Sequence, residues 1–112
     1  MRSAFGLFFL ILAIAAIVLA ETKHASAPAA AGKQIFVANC ATCHGPDGKG
    51  SSTGRAMGVK DLHSPAVIKM TDAQIKTVIS NGKGNMPPWK GQLSAAQISE
   101  VAAFVRTLQK AK

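Results

Sequence analysis

The chain has 112 residues, 13 Lys and Arg against 5 Asp and Glu for a formal net charge of +8, and 2 cysteines. That length leaves room for one small domain. The positive charge does not describe a nucleic-acid binder, because no basic cluster is interleaved with aromatic residues.

After Met1 and Arg2, the run AFGLFFLILAIAAIVLA from Ala4 to Ala20 carries no charge. Residues 1–20 therefore read as an export signal or an uncleaved N-terminal membrane anchor. Cleaved signals hold about 7–15 apolar residues and a spanning helix needs about 17–25, and this run lies between the two. Val18 and Ala20 offer the small residues that a signal peptidase accepts. Residues 21–31, ETKHASAPAAA, are Ala/Pro-rich and aperiodic and read as a flexible connector, with His24 solvated. From Glu21 onward 12 basic and 5 acidic side chains remain, net +7, so the charge belongs to the folded part.

The domain is expected over residues 32–112. Three of the aromatics, Phe5, Phe8 and Phe9, lie in the leader, which leaves Phe36, Trp89 and Phe104 for the core. Domains of this size bury only about 60% of their unfolded surface and are marginal without a staple or added core material. Something apolar and bulky is missing from the sequence itself.

In GKQIFVANCATCH, Ile35, Phe36, Asn39, Cys40 and Cys43 recur at offsets of three and four, the period of a short amphipathic helix with the cysteines at its end. Gly45 to Val59 is glycine-rich and reads as loop. Ser64 and Pro65 predict the cap and first position of a short helical turn through Met70. Thr71 with Gln74 predicts a capping box that opens TDAQIKTVIS, with Ile75, Val78 and Ile79 as its apolar stripe and Gly82 as its stop. Gly82 to Gln92 contains three glycines and two adjacent prolines and is not helical. Ser94 with Gln97 repeats the capping box before the longest helix, whose apolar face holds Ile98, Val101, Phe104, Val105 and Leu108. No segment alternates with a period of two. The expected fold is all-α, three to four helices joined by long loops.

Cys40, Cys43 and His44 form CxxCH. A thioredoxin-like redox pair uses the same cysteine spacing but sits among alternating strands and helices, which are absent here. A structural zinc site needs four ligands, and adjacent Cys43 and His44 would crowd one face of the metal. A cysteine nucleophile with a neighbouring histidine base lacks the geometry that sequence neighbours rarely present. The segment GPDGKGS is no phosphate loop, since Gly50 follows Lys49 and no strand precedes it. CxxCH is the attachment sequence of c-type haem, in which two thiols add to the two vinyl groups and the histidine coordinates iron. Three residues make nearly one helical turn, so Cys40 and Cys43 project to the same side of the helix.

With these residues in order, Gly32 to Lys112 resembles a class I c-type cytochrome of the small bacterial kind. A helix with Gly32 and Phe36 ends in CxxCH, a glycine-rich loop and middle helices follow, then Met86 with Pro87, and a last helix carries Phe104 and Val105. The resemblance implies a cytochrome c fold in which the first and last helices cross near one covalently attached haem c. For the second axial ligand, Met57, Met70, Met86 and His63 are candidates. Met86 stands in a loop stiffened by Pro87 and Pro88 and matches the family's axial methionine. Met57 reads as a mobile side chain, Met70 as core filling and His63 as an exposed polar residue. His44 is expected to give its other ring nitrogen to a backbone carbonyl, which the sequence does not identify, with Pro46 orienting the segment. Trp89 is expected near the haem edge or in the core, and Asn85, Trp89 and Arg55 are candidate donors to a haem propionate or to the axial sulfur.

The function that the resemblance implies is one-electron transport, not enzyme catalysis, in a periplasmic or other extracytoplasmic respiratory chain. The partners would be an electron-donor complex and a terminal acceptor such as an oxidase. Lys33, Lys49, Lys60, Lys83 and Lys90 are placed to steer acidic docking surfaces. Alternatives are a haem subunit of a respiratory complex, tethered to the inner membrane through residues 4–20, and a haem peroxidase or gas-binding sensor with an open sixth position.

Overall fold

The computed structural model describes residues 27–111. The leader, most of the connector with His24, and Lys112 lie outside the described residues. Six helices follow one another: α1 Ala27–Asn39, α2 Ala41–His44, α3 Ser52–Ala56, α4 Pro65–Ile68, α5 Asp72–Asn81 and α6 Ala95–Lys110. Among the described residues there is no strand, only isolated bridges at Lys83 with Met86 and Lys90 with Leu93.

The all-α class is as expected, but six helices replace the three to four expected. The added ones are single turns. In α3, the Ser51 hydroxyl accepts from the Gly54 amide at 2.9 Å, which caps five residues of the segment read as loop. The CxxCH helix is split in two at Cys40, where the backbone stands at φ −112° and ψ −33°. Helix α1 begins at Ala27, so it takes in five residues of the stretch read as connector. Alanine is the best helix former, and Pro28 sits in the first turn, where a missing N–H leaves no broken bond.

Both capping boxes form as expected. The Gln74 amide donates to the Thr71 hydroxyl at 3.1 Å and the Thr71 amide to the Gln74 carbonyl oxygen at 2.8 Å, and Ser94 and Gln97 do the same. Ser64 precedes Pro65 and α4 as expected, yet its hydroxyl makes no capping bond.

The core lies where α1, α5 and α6 meet. It consists of Phe36, Ile75, Ile79, Ile98, Val101, Ala102, Phe104 and Val105. Helices α1 and α6 cross at Gly32, where a Cβ would run into the backbone carbonyl of Glu100. Only glycine permits that approach. One turn on, Phe36 and Phe104 meet edge to face with ring centroids 5.3 Å apart and 61° between planes, a geometry worth about 0.5–1.5 kcal/mol beyond the area it buries.

Arg106 of α6 fastens the middle of the chain. Its guanidinium donates to Asp72 Oδ1 at 2.8 Å, to the Ile68 carbonyl at 3.3 Å and to the Met70 carbonyl at 2.5 Å. Carbonyls at the end of α4, which have no helical partner, are thereby satisfied. His63 is the other tie. Its Nε2 donates to the Leu108 carbonyl at 2.9 Å, its Nδ1 lies 2.8 Å from Asp61 Oδ1, and the Gln109 amide donates to the Leu62 carbonyl at 2.9 Å. The exposed polar role expected of His63 is thus corrected. It is a strap between the α3–α4 connection and the last turns of α6, part-buried at Leu108 and exposed at Asp61, which sequence spacing of 45 residues could not reveal.

Candidate functional site

The segment 40–44 is held from three sides. The Cys40 amide still donates to the Phe36 carbonyl at 2.8 Å, so α2 continues closely from α1. Gly45, at φ +75°, then ends the turn and donates to the Ala41 carbonyl at 2.8 Å. The loop behind it folds back. Gly50 donates to the His44 carbonyl at 2.7 Å, Ser51 donates from its amide to the Cys43 carbonyl at 3.0 Å, and the Ser51 hydroxyl reaches the Thr42 carbonyl at 2.6 Å. Gly54 closes the cradle, since a Cβ there would overlap the Cys43 carbonyl.

The Met86 segment is held by α5. Gly82, at φ +71°, turns the chain so tightly that a Cβ would come 2.5 Å from the Met86 carbonyl oxygen and 2.8 Å from the Pro88 nitrogen. Lys83 and Met86 exchange backbone bonds at 3.0 Å each, and the Trp89 and Lys90 amides donate to the Ile79 and Ser80 carbonyls at 3.0 and 3.1 Å. These last bonds satisfy carbonyls that the end of α5 leaves open. Pro87 and Pro88 need no such partner because they have no N–H.

Between the two segments lies a cavity of about 660 Å³ with a largely apolar wall that includes Leu62, Val67, Met70, Ile75, Val78 and Ile79. His44 and Met86 both line it. A smaller cavity of about 100 Å³ adjoins the same residues and is lined by Cys40, Cys43, His44, Met57, Met86 and Trp89. The four residues singled out in the sequence therefore share one lining. Met57 and Met70 also reach the larger cavity. His63 does not, being engaged with Asp61 and Leu108, and Arg55 donates to the Gly50 carbonyl at 2.8 Å.

The side chains fit a covalently held haem. Burial lowers the His44 pKa below the ordinary 6.5, which favours the neutral imidazole that a metal requires. Its Nδ1 is buried and has no hydrogen-bond partner. The backbone acceptor expected for that nitrogen is thus not formed among the described residues, where the 45–51 loop folds back through its own amides onto the carbonyls of Ala41, Cys43 and His44. Cys40 and Cys43 are free thiols. Burial pushes Cys40 up to about 11, the opposite of a redox-active or nucleophilic cysteine, whose thiolate is stabilised. Phe36 stands behind the histidine with ring centroids 6.4 Å apart, so the innermost core residue also backs the site.

Residues 27–105 match the family described as cytochrome C oxidase, cbb3-type, subunit III. This chain belongs to the c-type cytochromes. Haem c, covalently bound with its iron, is the cofactor of that family. The cytochrome is 41% identical over 99 residues to the cbb3-type cytochrome c oxidase subunit FixPc of Rhizobium leguminosarum bv. viciae, a match that covers 85% of this chain and 33% of that protein. It is 44% identical over 82 residues to cytochrome c6 of Leptolyngbya boryana, covering 70% of this chain and 91% of the relative. Among solved structures it resembles the KustC0563 c-type cytochrome, with a TM-score of 0.65 at 26% identity over 70% of this chain and 96% of the other. The cytochrome thus spans a third of the length of the oxidase subunit it matches, and nearly the whole of the small cytochrome.

Three residues that shape the site carried no role in the sequence: Gly54 against Cys43, Ser51 as cap and brace, and Arg106 as clamp. Ser51 and Gly54 lie three residues apart, a capping interval that was legible in principle. Arg106 offered no local signal for its clamp, because Asp72, Met70 and Ile68 stand 34 to 38 residues away.

Proposed function

We propose that this cytochrome is a monohaem carrier of single electrons outside the cytoplasm, with Cys40 and Cys43 as the thioether anchors and His44 and Met86 as axial ligands. The observation that carries the reading is the shared lining of Cys40, Cys43, His44 and Met86 at one cavity. Bound haem supplies one-electron redox chemistry at its iron. The chain's own part is to hold both axial positions. His44 contributes a half-buried neutral imidazole, and Met86 contributes a thioether fixed by the Lys83 exchange and two prolines. With both positions taken by side chains no place is left for a small substrate, so the protein acts without being an enzyme. Methionine opposite histidine sets the potential above that of a bis-histidine site.

Lys60 and Lys83 line the larger cavity and favour redox partners with acidic docking surfaces. The wider pattern of Lys33, Lys49 and Lys90 fits the same role. The partners are a donor complex and a terminal acceptor such as an oxidase. In this reading residues 1–20 are a signal peptide or an uncleaved anchor, residues 21–31 a linker and residues 32–112 the cytochrome domain. A second reading, an inner-membrane haem subunit of a respiratory complex with its leader retained as anchor, is favoured by the likeness to cbb3-type oxidase subunits.

The test is the optical spectrum of the ferric protein, which carries the weak long-wavelength band of methionine-ligated haem. Met86→Ala abolishes the band, lowers the potential and lets the reduced protein bind carbon monoxide. A wild-type protein that lacks the band and binds carbon monoxide at neutral pH refutes the ligand assignment and favours a peroxidase or gas sensor. Intact mass separates the two carrier readings: loss of the first 20 residues means a free carrier, and a full-length chain plus one haem means an anchored one.

A further inference from the structure

The two halves of the site are fastened separately. Segment 40–44 is bound by α1, the 45–51 loop and α3, whereas the Met86 segment is bound to itself and to α5. Among the described residues one hydrogen bond joins the 82–93 segment to the 40–59 segment. It runs from the Asn85 side-chain amide to the Met57 carbonyl at 3.1 Å. The acceptor suits the role, because Met57 caps the C-terminal end of α3, where carbonyls lack helical partners, and no backbone amide claims this one. Apart from the Lys83–Met86 exchange within the turn itself, the tip of the loop has no other hydrogen bond among the described residues. Gly84, at φ +58°, faces open space where a Cβ would find nothing within 4 Å, and Pro87 and Pro88 have no N–H to give. Asn85, Met57 and Met86 all line both cavities, so the bond lies across their shared edge.

We propose that Asn85 is a positioning residue that latches the Met86 loop to the end of α3 and so holds the axial sulfur in place against competing small ligands. The latch rests on the reading of Met86 as an axial ligand. Asn85 does not touch the iron in this account. It acts through the loop, by making any conformation in which Met86 swings away also break the Met57 bond. The bond is exposed to solvent, so its net effect is that of one ordinary hydrogen bond, a change of about two- to tenfold in the equilibrium between closed and open loop.

Imidazole added to the ferric holoprotein is the probe, since it binds only where Met86 has left. Asn85→Ala and Asn85→Asp, the latter of similar shape but without the donor, raise the association constant for imidazole about two- to tenfold over wild type. Asn85→Gln, which keeps the donor, returns it toward the wild-type value. The denaturant midpoints of Asn85→Ala and Asn85→Asp fall by no more than one exposed hydrogen bond accounts for, because the bond is absent from the open loop and from the unfolded chain alike. Unchanged imidazole binding in both Asn85→Ala and Asn85→Asp overturns the latch, as does an equal rise in Asn85→Gln, which keeps the donor. The methionine band of the wild-type protein keeps the two readings apart. If it is present and the variants bind imidazole as wild type does, the latch alone fails; if it is absent, the Met86 reading fails and the latch falls with it.

Discussion

Replacing Gly32 by alanine pushes a methyl group into the backbone of the opposite helix. The new Cβ would overlap the Glu100 carbonyl oxygen and lie 2.6 Å from its carbon and 3.0 Å from the Phe104 Cβ. Carbon atoms in contact rest about 3.5–4.0 Å apart, so α1 and α6 must separate by about 1 Å. The obstacle is helical backbone, which cannot rotate away as a side chain would. Two effects oppose each other. Alanine favours the helix over glycine by about 1 kcal/mol, and overpacking of a filled contact costs about 1–3 kcal/mol. A backbone obstacle takes the upper end, which leaves a net loss of about 2 kcal/mol. For a domain of this size each kcal/mol moves Tm by about 4–8 °C, so the expected fall is roughly 8–16 °C. Thermal unfolding of the holoprotein followed by circular dichroism measures it, and covalent haem attachment keeps the transition free of ligand concentration. A Gly32→Ala protein as stable as wild type, or more so, would mean that propensity is unopposed and that the two helices do not cross this closely.

Three further outcomes are expected. Phe36→Ala removes a side chain that is 1% exposed and packs on both Phe104 and His44, and denaturant unfolding should show a loss of about 3–5 kcal/mol. Arg106→Lys leaves one ammonium where a planar fork reaches Asp72 and the Ile68 and Met70 carbonyls, and should cost about 1–2 kcal/mol in the same assay; an unchanged midpoint would remove the clamp from the account. Asp61 is held below its ordinary 3.8 by the backbone amide of His63 first, and by the His63 ring second. A depressed carboxyl stabilises the fold above its unfolded pKa and loses that effect as pH falls through the folded value. Asp61→Asn should therefore be less stable than wild type near neutrality and approach it below pH ~3, and a difference that persists unchanged into acid would contradict the assignment.

Much of this protein is written in residues that lie within four positions of each other. The Thr71–Gln74 and Ser94–Gln97 boxes need only their own turn of helix, and both form. Cys40, Cys43 and His44 are legible for the same reason: one helical turn sets which side the thiols face, whatever the rest of the chain does. The prolines beside Met86 single it out in the sequence, and it lines the same cavity as His44. Other features depend on partners that no local pattern announces. Helix α3 rests on Gly54 fitting under the Cys43 carbonyl, and His63 is a strap because the end of α6 arrives beside it. The backbone acceptor expected for the His44 Nδ1 is not formed among the described residues. Local sequence thus determined which residues can cap, turn and attach. Only the packing of α1, α5 and α6 decided which carbonyls remain open, which side chains become clamps, and that residues 42 positions apart line one cavity, since those outcomes depend on distances that the chain acquires only when it closes on itself.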